Sequence, residues 1–389
     1  MPSGVIFRLL LYCSLLDSTV EIASKMNSIS LMLIKNEFCY GVFLSTMKWN
    51  CLSMAGKLYD QLCERKFGKH VMKLSVAMCT YNGAQYIEEQ LQSIHNQTVP
   101  ISEIVISDDG STDSTVPIIQ EYAKQTPFPI RVLVNHDSLG VGQNFSRCIQ
   151  ECTGDLIFTC DQDDIWQPDK VEVFSRLFYQ YPNCDLAFSD LTLISEDGKE
   201  TGRNMWQDLG FISSKLDGSE NAFEQLIQRN VVTGAAMVFR SSLAKIACPV
   251  PHGFIHDEWI ALVASLTGTI LTIKAPMVKY RIHQAQQIGS ASGLLGEWRH
   301  ARKLMNRNYF ENRITRAQAI VQFIQTHKDI LCNPRYIHWP SGILSHAHAV
   351  AAIHHSWLLR WPLIFRELIT GRYFRYDHGL KSVIRDSLL

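Results

Sequence analysis

From Leu74 onward, short apolar runs alternate with longer stretches whose apolar positions recur at helical spacing. Leu74 to Met78, Ile104 to Ser107, Arg131 to Val134 and Leu156 to Thr159 read as strands, separated by predicted helices at Tyr86 to His95, Ser114 to Lys124 and Gly142 to Cys152. This alternation predicts βαβ units and a mostly parallel sheet flanked by helices. Pro168 then introduces a helix at Lys170 to Tyr181, and Leu186 to Phe188 gives a fifth strand. The pattern weakens beyond Ser195 through a Gly- and Ser-rich stretch. It resumes as a helix near Phe223 to Arg229, a strand at Ala235 to Phe239, a helix after His256, and strands at Thr269 to Ile273 and Val278 to Ile282.

Both flanks differ from this region. Residues 1–71 contain apolar clusters, Leu9 to Leu11 and Ile29 to Ile34, without a regular period, and Arg8 interrupts what would be a signal-peptide core. They are expected to be an extension or a misassigned start, because Met72-Lys73 directly precedes the first strong strand. Residues 72–290 form the expected catalytic domain, and residues 291–389 a helical extension. No repeat or low-complexity tract is present.

Composition narrows the function. With 389 residues and 46% apolar content the chain can bury a large core. Lys plus Arg balances Asp plus Glu at 37 each, which gives no global attraction for polyanions, so nucleic acid is not an expected partner. The eleven cysteines form no disulfide or zinc pattern and fit a reducing cytoplasm. Charged residues break every apolar run short of the about 20 residues that a membrane-spanning helix needs.

In open α/β sheets, ligands bind beyond the carboxyl ends of strands. Thr80-Tyr81-Asn82-Gly83 follows the first predicted strand, Asp108-Asp109-Gly110-Ser111-Thr112-Asp113 the second, and Asp161-Gln162-Asp163-Asp164 the fourth. Each segment also suits a turn or a helix N-cap, but three at successive strand ends favour a nucleotide site. Asp161 and Asp163, one residue apart, can approach a divalent cation that shares a substrate diphosphate; the alternative is a solvated acidic turn before the helix at Lys170. An EF-hand is excluded, since Trp166 stands where the calcium loop requires Gly. Gly140-Val141-Gly142 follows the third strand and lacks the dinucleotide fingerprint.

These motifs, together with the Gly154-Asp155 step before the fourth strand, resemble the family 2 glycosyltransferases, which have the GT-A fold, over roughly Leu74 to Gly289. The resemblance implies a donor site built from Thr80, Tyr81, Asn82, Asp108, Asp109 and Asp161, with Tyr81 near the base and Asp109 contacting it. It implies a metal, Mn2+ or Mg2+, handled by Asp161 and Asp163, with Asp163 the better ligand. His256-Asp257-Glu258-Trp259 is similar to the family's acidic motif, which makes Asp257 the expected base and Glu258 the neighbour that raises its pKa. First-turn acids also favour helix N-termini for purely structural reasons. Tyr280-Arg281-Ile282-His283, with Gln286 and Gln287, resembles the segment that folds over the donor diphosphate, Arg281 pairing with phosphate and His283 completing the metal shell. A similar Thr233-Gly234 turn lines the sugar pocket in the family. The QxxRW motif of processive members is absent, which points to single additions.

The spellings DQDDIW, HDEW and YRIH look most like bacterial rhamnosyltransferases of lipopolysaccharide or other surface glycans. The expected reaction is therefore inverting transfer of L-rhamnose from dTDP-rhamnose, with a UDP-hexose or UDP-N-acetylhexosamine donor as the alternative. A sugar-nucleotide pyrophosphorylase or a dehydrogenase would need a Gly-rich loop where Thr80-Tyr81-Asn82 stands. From Trp357 to Leu389, aromatic and basic residues interleave, which suits either packing on the catalytic domain or peripheral contact with the cytoplasmic face of an inner membrane. His346, His348, His354 and His355 are expected on a helix surface without acidic partners.

Overall fold

The computed structural model describes residues 72–283 and 307–388. They belong to one compact unit, Cys63–Leu389, whereas the expectations for residues 1–71 and for Gln286 and Gln287 lie outside the described residues.

β1 (Leu74–Thr80), β2 (Glu103–Asp108), β3 (Ile130–Val134) and β4 (Leu156–Cys160) pair in parallel in the order 3-2-1-4. The first, second and fourth are almost wholly buried, since helices cover both faces of a parallel sheet. Crossovers are made by α1 (Ile87–His95), α2 (Thr115–Ala123) and α3 (Val141–Gln150). The Gly154-Asp155 step tucks the start of β4 under β1. A Cβ on Gly154 would collide with Ser75, while Lys73 N donates to Asp155 Oδ2 (2.8 Å) and Asp155 N to Lys73 O (2.7 Å).

Beyond β4 the sheet turns mixed. β5 (Ile165–Trp166) and α4 (Lys170–Gln180) follow the acidic turn, then β6 (Cys184–Ile194), β7 (Glu200–Asn204) and α5 (Met205–Leu209). α6 (Ala222–Gln228) leads through a short 3-10 turn, Gly234–Ala236, into β8 (Met237–Arg240). β8 lies antiparallel between β4 and β6, so the sheet switches polarity beside the acidic turn. α7 (Ser241–Ala247), α8 (His256–Thr267) and β9 (Thr269–Arg281) complete the unit. The two strands expected at Thr269 to Ile273 and Val278 to Ile282 are one: β9 runs through the break, and the pairing with β6 shifts register on either side of Asp190 and Pro276. A proline lacks the N–H that a regular ladder needs there.

The C-terminal region is helical, with α9 (Arg307–Thr326), α10 (Pro340–His355), α11 (Trp357–Ile369), α12 (Arg372–Tyr376) and α13 (Leu380–Leu388). Ile320, Ile324 and Phe323 of α9 join the same core as Trp259 of α8, so this region is packed on the catalytic fold. No helix among the described residues is long and apolar enough to cross a membrane. The expectation of surface histidines without acids is corrected for two of the four. His346 is buried and bonds Glu367 (2.9 Å), and His354 bonds Asp386 (3.2 Å). Charged groups taken from water need partners, and these acids sit 21 and 32 residues away along the chain, where sequence spacing does not reveal them.

Candidate active site

The loops after β1 and β2 are stitched to each other. Thr80 Oγ1 donates to Asp108 Oδ2 (2.7 Å), which also accepts from Ser111 Oγ (2.6 Å), while Asp108 Oδ1 accepts from Ser111 N (2.8 Å). Asn82 holds a left-handed conformation (φ 48°), and its side-chain oxygen accepts from Thr112 N (2.8 Å). The polar residues expected to bind the donor thus first build the loop. Asp108, expected at the donor, has no exposed surface and both its oxygens engaged within these loops.

Asp109 is nearly as occupied. Oδ1 accepts from Asn135 Nδ2 (2.8 Å) and Leu139 N (2.7 Å), Oδ2 from Ser138 Oγ (2.7 Å) and Gly140 N (3.0 Å). Burial alone would raise its pKa, but these bonds outweigh burial and hold the carboxyl below its usual range. A nucleobase reaches this carboxylate only by displacing a donor, and the Ser138 hydroxyl is the one free to rotate away.

Gln162, which sequence reasoning passed over, locks the first loop to the acidic turn. Its Oε1 accepts from Tyr81 N (2.9 Å) and its Nε2 donates to Tyr81 O (3.1 Å), leaving the Tyr81 ring exposed. Gly83 makes room for it, since a Cβ there would strike the Gln162 amide. The glycine in Asn82-Gly83 was the signal of that close approach.

The acidic turn faces α8 across the point where the sheet changes polarity. Asp161 is pushed up to about 7, first by burial and then by the charges of Asp163 and Asp257. Tyr280 is raised by burial and then by the fields of Asp161, Asp164, Asp163 and Asp257, so these carboxylates gather around one phenol. Cys79 feels Asp161 and Asp109, which ties the nucleotide-side loop to the same cleft. Lys170 is a cation among them, but it is fully buried and donates to Ala235 O (2.8 Å), and burial lowers its pKa to about 7. Negative charge is therefore in excess.

Asp257 opens α8. Oδ1 accepts from Glu258 N (2.6 Å) and Oδ2 from Gly234 N (3.1 Å), so the Thr233-Gly234 turn touches the expected base directly. Burial, with a smaller contribution from Glu258, raises it to about 7. The expected effect of Glu258 is thus present but secondary, and Glu258 is itself paired with Arg316. His256 is buried against Phe145, with ring centroids 3.6 Å apart, and burial lowers its pKa to about 3.

At the end of β9, His283 Nε2 lies 2.8 Å from Asp163 Oδ2, so two of the expected metal ligands are adjacent. No group of three or more His, Cys, Asp or Glu side chains arranged to hold a metal occurs among the described residues. A carboxylate and an imidazole beside surplus negative charge nonetheless fit a divalent cation whose remaining ligands are donor oxygens. Asp164 is tied to the end of β9. Its carboxyl is buried and accepts from Arg281 N (3.0 Å).

Arg281, expected on phosphate, is engaged with protein groups. Its Nε donates to Asp163 O (2.8 Å), Nη1 to Glu196 O (2.8 Å) and Nη2 to Glu89 Oε2 (2.6 Å), and its guanidinium lies over the Tyr86 ring. A guanidinium so bound, with a side chain only 3% exposed, ties α1 and two loops together in this state. Arg281→Ala is expected to cost about 2–3 kcal/mol of unfolding free energy in a denaturant titration, the scale of lost charged hydrogen bonds. An unchanged midpoint with a weakened donor KM would restore the phosphate role.

A strand-end cleft in a mixed α/β sheet, with an acidic turn facing a raised carboxyl, has the GT-A architecture. Staphylococcus aureus TarS 1-349, solved in complex with UDP-GlcNAc, is similar in fold, with a TM-score of 0.51 over 81% of each chain at 16% identity. Residues 75–246, a little under half of the chain, match Glycosyl transferase family 2. The chain is 41% identical over 112 residues to the dTDP-rhamnosyl transferase RfbG of Shigella flexneri, which covers 28% of this chain and 39% of that protein. It is 27% identical over 213 residues to a Mycobacterium tuberculosis protein, of whose length it covers 59%.

Proposed function

We propose that this protein is an inverting, single-addition glycosyltransferase that moves a sugar from a nucleoside diphosphate to a hydroxyl of a surface-glycan precursor in the cytoplasm. The observation that carries this reading is Asp257, held at a pKa of about 7 in the same electrostatic environment as Asp161 and Asp163. A base poised near neutrality is matched to removing a proton from an alcohol as it attacks. The acceptor oxygen bonds to the anomeric carbon, the bond from that carbon to the diphosphate oxygen breaks, and the acceptor proton passes to Asp257. The nucleoside diphosphate leaves from the opposite face, which inverts the anomeric centre.

The Tyr81 ring offers a stacking surface for the base, and Asp161 is the ribose ligand. Asp163 and His283 would hold a Mn2+ or Mg2+ ion, which when bound neutralises charge on the departing diphosphate. The Gly234 amide fixes one oxygen of Asp257 and leaves its protonation, rather than its position, to vary.

Our choice of donor is dTDP-rhamnose, supported by the likeness to RfbG, with the product belonging to lipopolysaccharide, O-antigen or another surface polysaccharide. A panel of dTDP-, UDP- and GDP-sugars, each with and without Mn2+, tests this by thermal stabilisation and donor hydrolysis. dTDP-rhamnose is expected to give the largest shift and the fastest release of nucleoside diphosphate. A UDP-sugar in first place would replace the donor assignment, and no response to any donor would remove the transferase reading.

A further inference from the structure

We infer that helices α11 to α13 form a docking face for an anionic phospholipid bilayer. On α11, Leu358, Trp361, Phe365 and Ile369 are each more than half exposed, at steps of three, four and four residues. On α13, Leu380, Ile384 and Leu388 repeat the pattern at steps of four, and Phe374 of α12 lies between them in sequence, also more than half exposed. These are not the inward faces. Ile364, Leu363, Leu368 and Val383 pack with Ile353 and Tyr373, so the helices are already anchored and still present apolar stripes outward.

Charge selects the occupant. From Pro340 to Leu388 the acids are Glu367, Asp377 and Asp386, and all three are buried. Arg366 and Arg372 bind Glu367, Arg313 and Arg385 bind Asp377, and Arg385 also binds Asp386. Sequestering the acids leaves the surface of this segment with basic side chains alone, among them Arg375 and Lys381. A second copy meeting this face about a two-fold axis would set like charges together. Residues 1–71, with eight Lys or Arg against five Asp or Glu, offer no complementary acid excess. An anionic bilayer supplies both an apolar layer for the Trp, Phe, Leu and Ile side chains and negative headgroups for the rim.

The test is co-sedimentation of the full chain with vesicles of phosphatidylcholine alone, or of phosphatidylcholine mixed with phosphatidylglycerol. Binding to the mixed vesicles is expected, weakened by salt, with little to phosphatidylcholine alone. W361S/F365S and R375E/K381E should each reduce partition on the order of tenfold or more, since apolar insertion and headgroup attraction both contribute. Unchanged thermal unfolding of these exposed-site variants confirms that the fold is retained. A wild-type chain that ignores the mixed vesicles overturns the inference, as do variants that bind like wild type. A dimer in sedimentation equilibrium that W361S/F365S dissociates, without vesicle binding, assigns the face to a second copy instead.

Discussion

Asp257→Asn lowers turnover by about 10²–10⁴-fold, the range over which a positioned base accelerates proton transfer, while donor binding survives. The rise of kcat/KM through about pH 7, where the wild-type carboxyl ionises, disappears with it. Stability should move in the opposite sense. Burial makes the folded protein hold a proton that the unfolded chain releases near the ordinary carboxylate value of about 4, so wild-type stability falls as pH climbs from about 4 toward 7. The amide does not ionise and escapes that fall. Below the folded value the neutral acid and the amide each keep one carbonyl acceptor for the Glu258 and Gly234 amides, so the two proteins are close in acid and the variant gains on wild type as pH rises. Melting temperatures of both proteins at pH 5 and pH 8 decide the matter. A gap that stays constant with pH, or substantial activity in the variant, would sink the assignment.

Asp163→Asn is the second large loss. In the proposed site its carboxylate and the His283 imidazole, 2.8 Å apart, are the side chains that would meet a cation from the donor side. Removing that charge is expected to cost several kcal/mol of transition-state stabilisation, or about 10³-fold in turnover. The diagnostic readout is binding rather than rate. Mn2+ added with nucleotide should raise the melting temperature of the wild type and of Asp257→Asn, and should fail to do so for Asp163→Asn. If Asp163→Asn keeps the full metal-dependent shift, the ion sits elsewhere.

The strand ends were the readable part of this sequence, because buried parallel strands are apolar throughout and stop abruptly at polar turns. That placed Thr80, Asp109, Asp161 and Asp163 correctly on one edge of the sheet, at the ends of β1, β2 and β4. Division of labour within the motifs was not readable. Asp108 and Asp109 are adjacent acids in one loop, yet one is wholly consumed by Thr80 and Ser111 and the other fixes the loop before α3. Only the fold decides which carboxylate meets which donor. Arg281 was ambiguous for a related reason: a guanidinium near a diphosphate site suits phosphate, but it suits carbonyls from two loops and a carboxylate from α1 equally well. The short elements β5, β7, α5 and α7 went unpredicted because two to seven residues carry no measurable period.

Arg281 also carries a temporal implication. It grips Asp163 and Glu89, partners 118 and 192 residues earlier in the chain, and His283 arrives two positions later. The segment bearing the family match ends at residue 246, before any of these clasps has emerged from the ribosome. On the proposed function, a growing polypeptide should therefore stay silent toward activated sugars until β9 snaps into the sheet and the clasp shuts.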